Sequence, residues 1–274
     1  MLRTCLMGYS LLLASFPVAA ADTESGPRRV LLCGQRPDGH PAATHEYQAG
    51  LAILSRQLQR IERVEVRTVL ADEPWSDGPE LLESADCAVL FLAEGAAWVS
   101  ASEARLAALR KLAQRRGGLV CLHWAMGSRT AEPVEAFVDL FGGCHGGPDR
   151  KYKFLETTLR PAGDPHPITR GVAATRLDDE FYYRLKFPED RKGWSSVLEA
   201  DIDGVPETVG WAWQRPDGGR SFGFSGLHRH ANWGDQLLRR SVVQGIVWTL
   251  DREIPSDGLD VPLSTGELAL PPRR

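Results

Sequence analysis

Most of the seven histidines in this chain follow a predicted strand, and all of them lie in loops rather than on helix faces. Imidazole titrates near neutral pH and is a common ligand of zinc, and carboxylates supply complementary bases and ligands. A single loop histidine is usually structural, but several at neighbouring strand ends are typical of a reaction centre. The pattern therefore predicts acid/base catalysis or a site for a divalent metal.

These side chains follow four different strands, and two of the strands contribute a pair of histidines. They are His40, His45 and Glu46 after the first strand, Glu94 after the third, His123 after the fourth, and His228 and His230 after the last. Because loops converge at the carboxyl ends of parallel strands, we expect these groups to surround one cavity. No compact spacing such as His-Glu-x-x-His occurs, so spacing alone does not identify a metal centre.

Aromatic side chains lie in or beside the same loops. Sugars present apolar C–H faces that stack on such rings, although core packing is the alternative for any one of them. The residues are Trp75, Trp98, Trp124, Tyr182, Tyr183, Trp211, Trp213 and Trp233.

Strands and helices alternate over the first part of the chain. Short apolar runs predict buried strands at 29–34, 64–70, 87–92 and 119–122, and helical spacing predicts helices at 46–60, 79–84, 101–115 and 133–141. Such alternation predicts parallel strands joined by right-handed crossovers. The later part is β-rich, with strands expected at 154–159, 181–185, 196–199, 208–213 and 221–225 before a helix at 233–250. The expected fold is α/β, a mostly parallel sheet flanked by helices with a β-rich C-terminal extension.

Three segments are expected along the chain. Residues 1–21 combine Arg3, an apolar run and small residues ending at Ala21, which is the pattern of a cleaved signal peptide. One domain is expected over 28–252, followed by a proline-rich C-terminal tail at 253–274 on the surface. Export predicts a periplasmic or secreted protein. No membrane span is expected after cleavage, because the apolar run is shorter than the roughly 20 residues that cross a bilayer.

Charge and cysteine content narrow the function further. The formal net charge of -4 gives no basic surface, so we expect no nucleic-acid partner. Cys33, Cys87 and Cys121 lie in predicted buried strands and Cys144 in a glycine-rich loop, which favours free buried thiols. The sequence leaves open whether the protein forms a homo-oligomer.

Five motifs occur in order between Arg29 and Leu250. They are Gly117–Ala125, Phe141–His145, His166–Val172, Asp179–Tyr182, and Gly219–His228 leading to Gly245–Trp248. Together they resemble the ThuA-like (trehalose-utilisation) family. The resemblance implies a flavodoxin-like fold, similar to that of class I glutamine amidotransferases. It also implies a role in sugar metabolism that proceeds by way of 3-keto-sugar intermediates.

The resemblance also implies roles for individual residues. His123, Glu180 and His228 would be catalytic, and these three with His145 would bind a divalent metal, zinc or manganese. The expected partner is a small carbohydrate substrate. The positions expected to bind it, from the strand ends and the motifs together, are His45, Glu94, Trp124, His145, Tyr182 and His230. Cys121, Trp124 and Cys144 depart from the common pattern and leave the sugar unidentified.

Three functions are compatible with these residues. The first is an enzyme acting on disaccharides or (3-keto-)glycosides, in which His123, Glu180 and His228 are acid/base groups or ligands of a metal that polarises a carbonyl. The second is a non-catalytic carbohydrate-binding or scaffold module. The third is an amidotransferase-like hydrolase with Cys121 as nucleophile, which is disfavoured because Leu122-His123 lacks the glycine of a nucleophile elbow.

Overall fold

The computed structural model describes residues 26–270, so the expected signal peptide lies outside the described residues. The strands are β1 (Arg28–Gly34), β2 (Val64–Leu70), β3 (Cys87–Phe91), β4 (Gly118–Leu122), β5 (Gly127–Ser128), β6 (His145–Gly146), β7 (Lys151–Pro161), β8 (Thr175–Tyr183), β9 (Trp194–Ile202), β10 (Val205–Gln214) and β11 (Arg220–Phe224). The helices are α1 (Tyr47–Leu58), α2 (Gly78–Ser84), α3 (Gly95–Ser100), α4 (Glu103–Gln114), α5 (Val134–Phe141), α6 (Gln236–Thr249) and α7 (Thr265–Leu268). Short 3-10 helices span His123–Met126, Pro167–Thr169 and His230–Gly234.

Nine strands form one sheet in the order β2-β1-β3-β4-β11-β10-β9-β7-β8, and β5 pairs separately with β6. The first five strands in this order are parallel, and the remaining neighbours are antiparallel. The α/β fold flanked by helices with a β-rich C-terminal extension is confirmed, and the extension continues the parallel strands into one mixed sheet. The physical reason is connection length: β9–β10 and β10–β11 are joined by tight turns, which allow only antiparallel pairing.

Two layers of helices cover the sheet, and the parallel strands β1, β3, β4 and β11 are largely buried, whereas the edge strand β2 is mostly exposed. Leu31 and Leu32 show the alternation, since Leu32 packs in the core beneath α1 and α6, whereas Leu31 packs in the core beneath α2 to α5. β3 and β4 are buried at every position, as expected for strands covered on both sides. This packing fixes the carboxyl ends of β1, β3, β4 and β11 along one edge of the sheet.

The β7–β8 hairpin pairs with the rest of the sheet over only part of its length. β7 pairs with β9 only from Leu159 to Pro161, whereas it pairs with β8 from Lys151 to Leu159. The free half of the hairpin lies against the loop that follows β11, where Asp179 of β8 accepts a hydrogen bond from the backbone of Leu227. An antiparallel element therefore covers the edge at which the parallel strands end.

The segment after α6 packs against the domain. Ile254 and Val261 are buried, and the Gln57 side chain of α1 donates to the Pro262 carbonyl over 2.6 Å. All four cysteines of the described region are free and buried. None of the helices between residues 26 and 270 is long and apolar enough to cross a membrane.

Candidate functional site

Four side chains from distant parts of the chain converge at the edge where the parallel strands end. They are His45 after β1, His123 at the end of β4, Glu180 on β8 and His228 after β11, and all four are buried. His45 Nε2 lies 3.0 Å from His123 Nε2 and 3.0 Å from His228 Nδ1. Glu180 Oε2 lies 2.9 Å from His228 Nδ1 and 3.5 Å from His123 Nε2. One donor atom of each residue thus faces the same point.

Hydrogen bonds on the far side of two imidazoles determine their tautomers. His45 Nδ1 lies 2.8 Å from Asp38 Oδ2, and His123 Nδ1 lies 2.8 Å from the Ser225 carbonyl oxygen. Both oxygens are acceptors, so each Nδ1 carries a proton and donates it. In the neutral rings the Nε2 atoms are then unprotonated, and two lone pairs face each other across 3.0 Å. A cation placed between the two nitrogens would remove this repulsion.

Burial disfavours a proton as that cation. It lowers the pKa of His123 well below its usual value, and the neighbouring His45 lowers it further. Burial also lowers the pKa of His45, against the opposing effect of Asp38. The pKa of the Asp38 carboxyl is itself held well below its usual range, because hydrogen bonds from His45 and Tyr47 outweigh its burial. Burial therefore favours neutral imidazoles at His45 and His123, and the hydrogen bonds favour an ionised carboxylate at Asp38.

The spacing of the donor atoms fits a metal ion. Ligands at about 2.0–2.1 Å from a tetrahedral ion lie roughly 3.3 Å apart, and the distances given above run from 2.9 to 3.5 Å. Imidazole nitrogens and a carboxylate oxygen suit zinc, manganese and similar divalent ions. Asp38 behind His45, itself bound by the Tyr47 hydroxyl at 2.7 Å, is the outer partner that metal-ligating histidines usually have.

The backbone is in the left-handed region at two of the four donor residues and at the residue before a third. His45, His123 and Leu227 have φ values of 51°, 50° and 84°. Non-glycine residues adopt such values rarely, and they cluster at functional sites. His123 stands where β4 turns sharply into a 3-10 helix, which is the position of a nucleophile in an elbow. Cys121 lies two residues earlier inside β4, and burial raises the pKa of its thiol well above the usual value.

A close backbone approach supports the turn at His123. Gly95 begins α3, and a Cβ placed there would lie 2.1 Å from the Ala125 carbonyl oxygen. We expect Gly95→Ala to lower the free energy of unfolding by about 2–3 kcal/mol, because backbone rather than a flexible side chain must move. Gly163→Ala is the matched control, since no atom lies within 4 Å of its Cβ position. Equal urea midpoints for the two variants would contradict this account.

The loop that carries His228 is held from behind by β8. Asp179 is fully buried, and its carboxylate accepts from the backbone N–H of Leu227 at 2.7 Å and of Arg229 at 3.0 Å. Burial raises the pKa of this carboxyl to about 6, although these hydrogen bonds oppose the shift. Adjacent residues of β8 therefore have separate roles. Glu180 contributes one of the four converging donor atoms, and Asp179 holds the backbone on either side of His228.

A cavity of about 260 Å³ opens onto the cluster. Tyr182 stacks between His123 and His145, with ring centroids 4.7 and 3.9 Å away, and its hydroxyl lies 3.2 Å from His123 Nε2. Burial, followed by the charge of Glu180, raises the pKa of Tyr182 well above its usual value, so the hydroxyl remains a neutral donor. The lining residues are His40, His45, Trp124, Arg129, His145, Arg150, Tyr152, Phe154, Glu180, Tyr182 and His228.

The structure brings together most of the residues singled out from the sequence. His145 lines the cavity behind Tyr182 but is not one of the four converging donors, a position that His45 occupies instead. Glu94 is at the rim in an ion pair with Arg129 at 2.7 Å. His230 is directed elsewhere, with Nε2 3.1 Å from the Leu268 carbonyl oxygen.

Other lining and supporting residues were not anticipated. Asp38 and Tyr47 form the outer support of His45, and Arg150, Tyr152 and Phe154 form part of the cavity wall. Tyr152 and Phe154 alternate in a strand that pairs with Glu180 and Tyr182. That alternation is the sequence signal that could have identified Tyr152 and Phe154 as cavity residues.

Comparison with known proteins agrees with this architecture. The family model ThuA, described as trehalose utilisation, matches residues 29–249. A ThuA-like protein from Bacteroides uniformis has the same fold at a TM-score of 0.63 and 13% identity, covering 87% of this chain and 97% of that chain. No curated protein sequence matches.

Two further solved structures align with this chain. Gan42B, a GH42 β-galactosidase from G. stearothermophilus, aligns at a TM-score of 0.51 and 12% identity over 83% of this chain and 30% of that chain. A glutamine amidotransferase from Thermotoga maritima aligns at a TM-score of 0.44 and 10% identity over 82% of this chain and 97% of that chain. By its sequence over residues 29–249, the chain belongs to the ThuA family of trehalose utilisation.

Proposed function

We propose that this protein is an exported, metal-dependent enzyme acting on 3-keto-glycosides or related disaccharides. The observation that supports the metal is the pair of unprotonated Nε2 atoms of His45 and His123, 3.0 Å apart, with His228 and Glu180 completing the donor set. Family membership supports the carbohydrate. Export rests on the pattern of residues 1–21 alone.

A divalent ion held by these residues would act as a Lewis acid on a carbonyl or hydroxyl oxygen of the sugar. His123 is fully buried and does not line the cavity, so it would serve as a ligand rather than as an acid or base in contact with substrate. His45, His228 and Glu180 do line the cavity, which gives substrate access to the centre.

Two further side chains can form hydrogen bonds with the reacting sugar. The Tyr182 hydroxyl can donate a hydrogen bond to a developing oxyanion, since its raised pKa keeps it protonated. His145 lines the cavity, and burial and the charge of Arg150 lower its pKa to about 3. It is therefore a neutral imidazole and a weak base, which can accept a hydrogen bond from a sugar hydroxyl. A ketone at C3 acidifies the C2–H bond. When a base takes that proton, the C2–H electron pair forms a C1–C2 double bond and the C1–O bond breaks. The leaving oxygen takes up a proton from the protonated base or from water, so the products are an unsaturated ketone and an alcohol.

The test is turnover by protein of known metal content. Purified protein would be stripped with chelator, reloaded with zinc or manganese, and incubated with 3-keto-trehalose and methyl 3-keto-α-glucoside. We expect release of the C1 substituent only with metal present. Absence of turnover in every metal form would overturn the proposal.

Cys121→Ser separates this function from the amidotransferase-like alternative. The thiol is enclosed in β4, and its raised pKa keeps it protonated, so it is a poor nucleophile. We expect kcat to stay within about twofold of the wild type, with a loss of about 1–2 kcal/mol in the free energy of unfolding because a hydroxyl is buried. A loss of turnover without loss of fold would favour the cysteine mechanism.

A further inference from the structure

Two large aromatic side chains of β7 are exposed beside the candidate metal centre. Tyr152 and Phe154 are 53% and 52% exposed. They are two residues apart in a strand, so both project from the same face of the hairpin. The other large apolar side chains that are exposed within residues 26–270, Leu70 and Val205, do not line this cavity.

Strand register connects this aromatic pair to the donor cluster. Phe154 pairs with Glu180 across the β7–β8 ladder, and Tyr152 pairs with Tyr182. The Phe154 ring centroid lies 5.1 Å from that of His228, and both rings line the same cavity. The aromatic surface is therefore continuous with the candidate reaction centre.

An arginine beside the pair has hydrogen-bonding capacity left. Arg150 lines the cavity, and the contact found for its guanidinium in the described chain is a hydrogen bond of 3.2 Å to the Gly147 carbonyl. By contrast, Arg129 is paired with Glu94 and Lys186 with Asp149. A guanidinium has five N–H donors, so several remain to bind hydroxyl oxygens of a ligand.

We propose that Tyr152, Phe154 and Arg150 form a subsite for a second sugar ring, the one attached across the glycosidic bond from the ring at the donor cluster. This rests on the proposed function. The cavity of about 260 Å³ is smaller than typical enclosed ligand sites of about 300–1,000 Å³, so a two-ring ligand must extend beyond it. Tyr152 and Phe154 line the cavity and are also half exposed, so a ligand that projects from the cavity passes their rings. Aromatic faces bind the apolar C–H face of a sugar.

Binding measurements on metal-loaded protein test the subsite without relying on turnover. Calorimetric titrations would compare trehalose with methyl α-glucoside, which lacks the second ring. We expect trehalose to bind about tenfold more tightly, an effect of the size of one aromatic stacking contact. The double variant Tyr152→Ala/Phe154→Ala should abolish this difference through loss of trehalose affinity, with a smaller loss for methyl α-glucoside because Phe154 also contacts His228. Arg150→Met should reduce the difference by about threefold.

Two controls make the test specific. Phe154→Tyr keeps an aromatic face and should retain the preference, and Val205→Ala removes an equally exposed apolar side chain away from the cavity and should have no effect. Equal affinity of the wild type for the two sugars, including no detectable binding of either, would overturn the subsite. A double variant that keeps the preference for trehalose would also overturn the subsite. If that variant in addition changes its elution volume in size exclusion, a second copy of the chain covers Tyr152 and Phe154 instead. A failure of the proposed function gives a different result, because it is seen as absence of turnover of the 3-keto substrates and not as a change in the relative affinities of the two sugars.

Discussion

Replacing His45 with alanine is expected to lower the affinity for zinc or manganese on the order of a thousandfold and to abolish turnover. The variant removes one of four donors, and it also leaves Asp38 and Tyr47 without the imidazole that they orient. Metal content of the purified protein and competition titrations against a chelator measure the effect. Retention of wild-type metal affinity would mean that these four residues do not form the site.

Asp38→Asn should also lower the metal affinity, but by less than His45→Ala does. The amide keeps the size of the side chain but is a weaker acceptor for His45 Nδ1, so we expect a loss of about 10–100-fold in metal affinity. His166→Ala is the matched control, since His166 is also a partly buried loop histidine whose ring nitrogen accepts from the Ile168 backbone N–H. Loss of that cap should cost about 1 kcal/mol of stability and leave metal affinity unchanged.

The sequence predicted the parallel half of the fold because its determinants are local. Apolar runs and helical spacing identify β1, β3 and β4, and the strand-end rule then places His45, His123 and His228 along one edge. α3 was missed because its six residues are too few for periodicity to be visible. The antiparallel half was identified as β-rich, but its continuity with the same sheet depends on long-range pairing that no local pattern encodes.

The resemblance placed His145 among the four metal ligands, whereas His45 is the fourth converging donor in the structure. The sequence could not show this, because the position of His45 also depends on contacts that no local pattern encodes. The family motifs favour His145, yet its position in β6 places the ring against Tyr182, one ring removed from His123. His45 reaches the centre because its backbone is left-handed and Asp38, seven residues earlier, holds its Nδ1. Neither the φ angle nor that hydrogen bond can be inferred from residue types, so the resemblance alone could not assign the fourth donor.

Glu180→Gln is expected to reduce kcat for a 3-keto-glycoside by at least about a thousandfold while the protein continues to bind sugar. The amide is nearly isosteric, but it removes the negative charge from a group whose Oε2 lies 2.9 Å from His228 Nδ1. Aromatic groups of the cavity wall, including Trp124, are unchanged, so calorimetric affinity for trehalose should fall by no more than about threefold. The pair of measurements separates an enzyme from a carbohydrate-binding module: a module has no turnover to lose in the wild type, and an enzyme loses turnover with binding retained. A wild-type kcat in the variant would show that Glu180 takes no part in the reaction. The β7–β8 hairpin would then have no role in catalysis through this carboxylate, although it places Glu180 at the ends of the parallel strands.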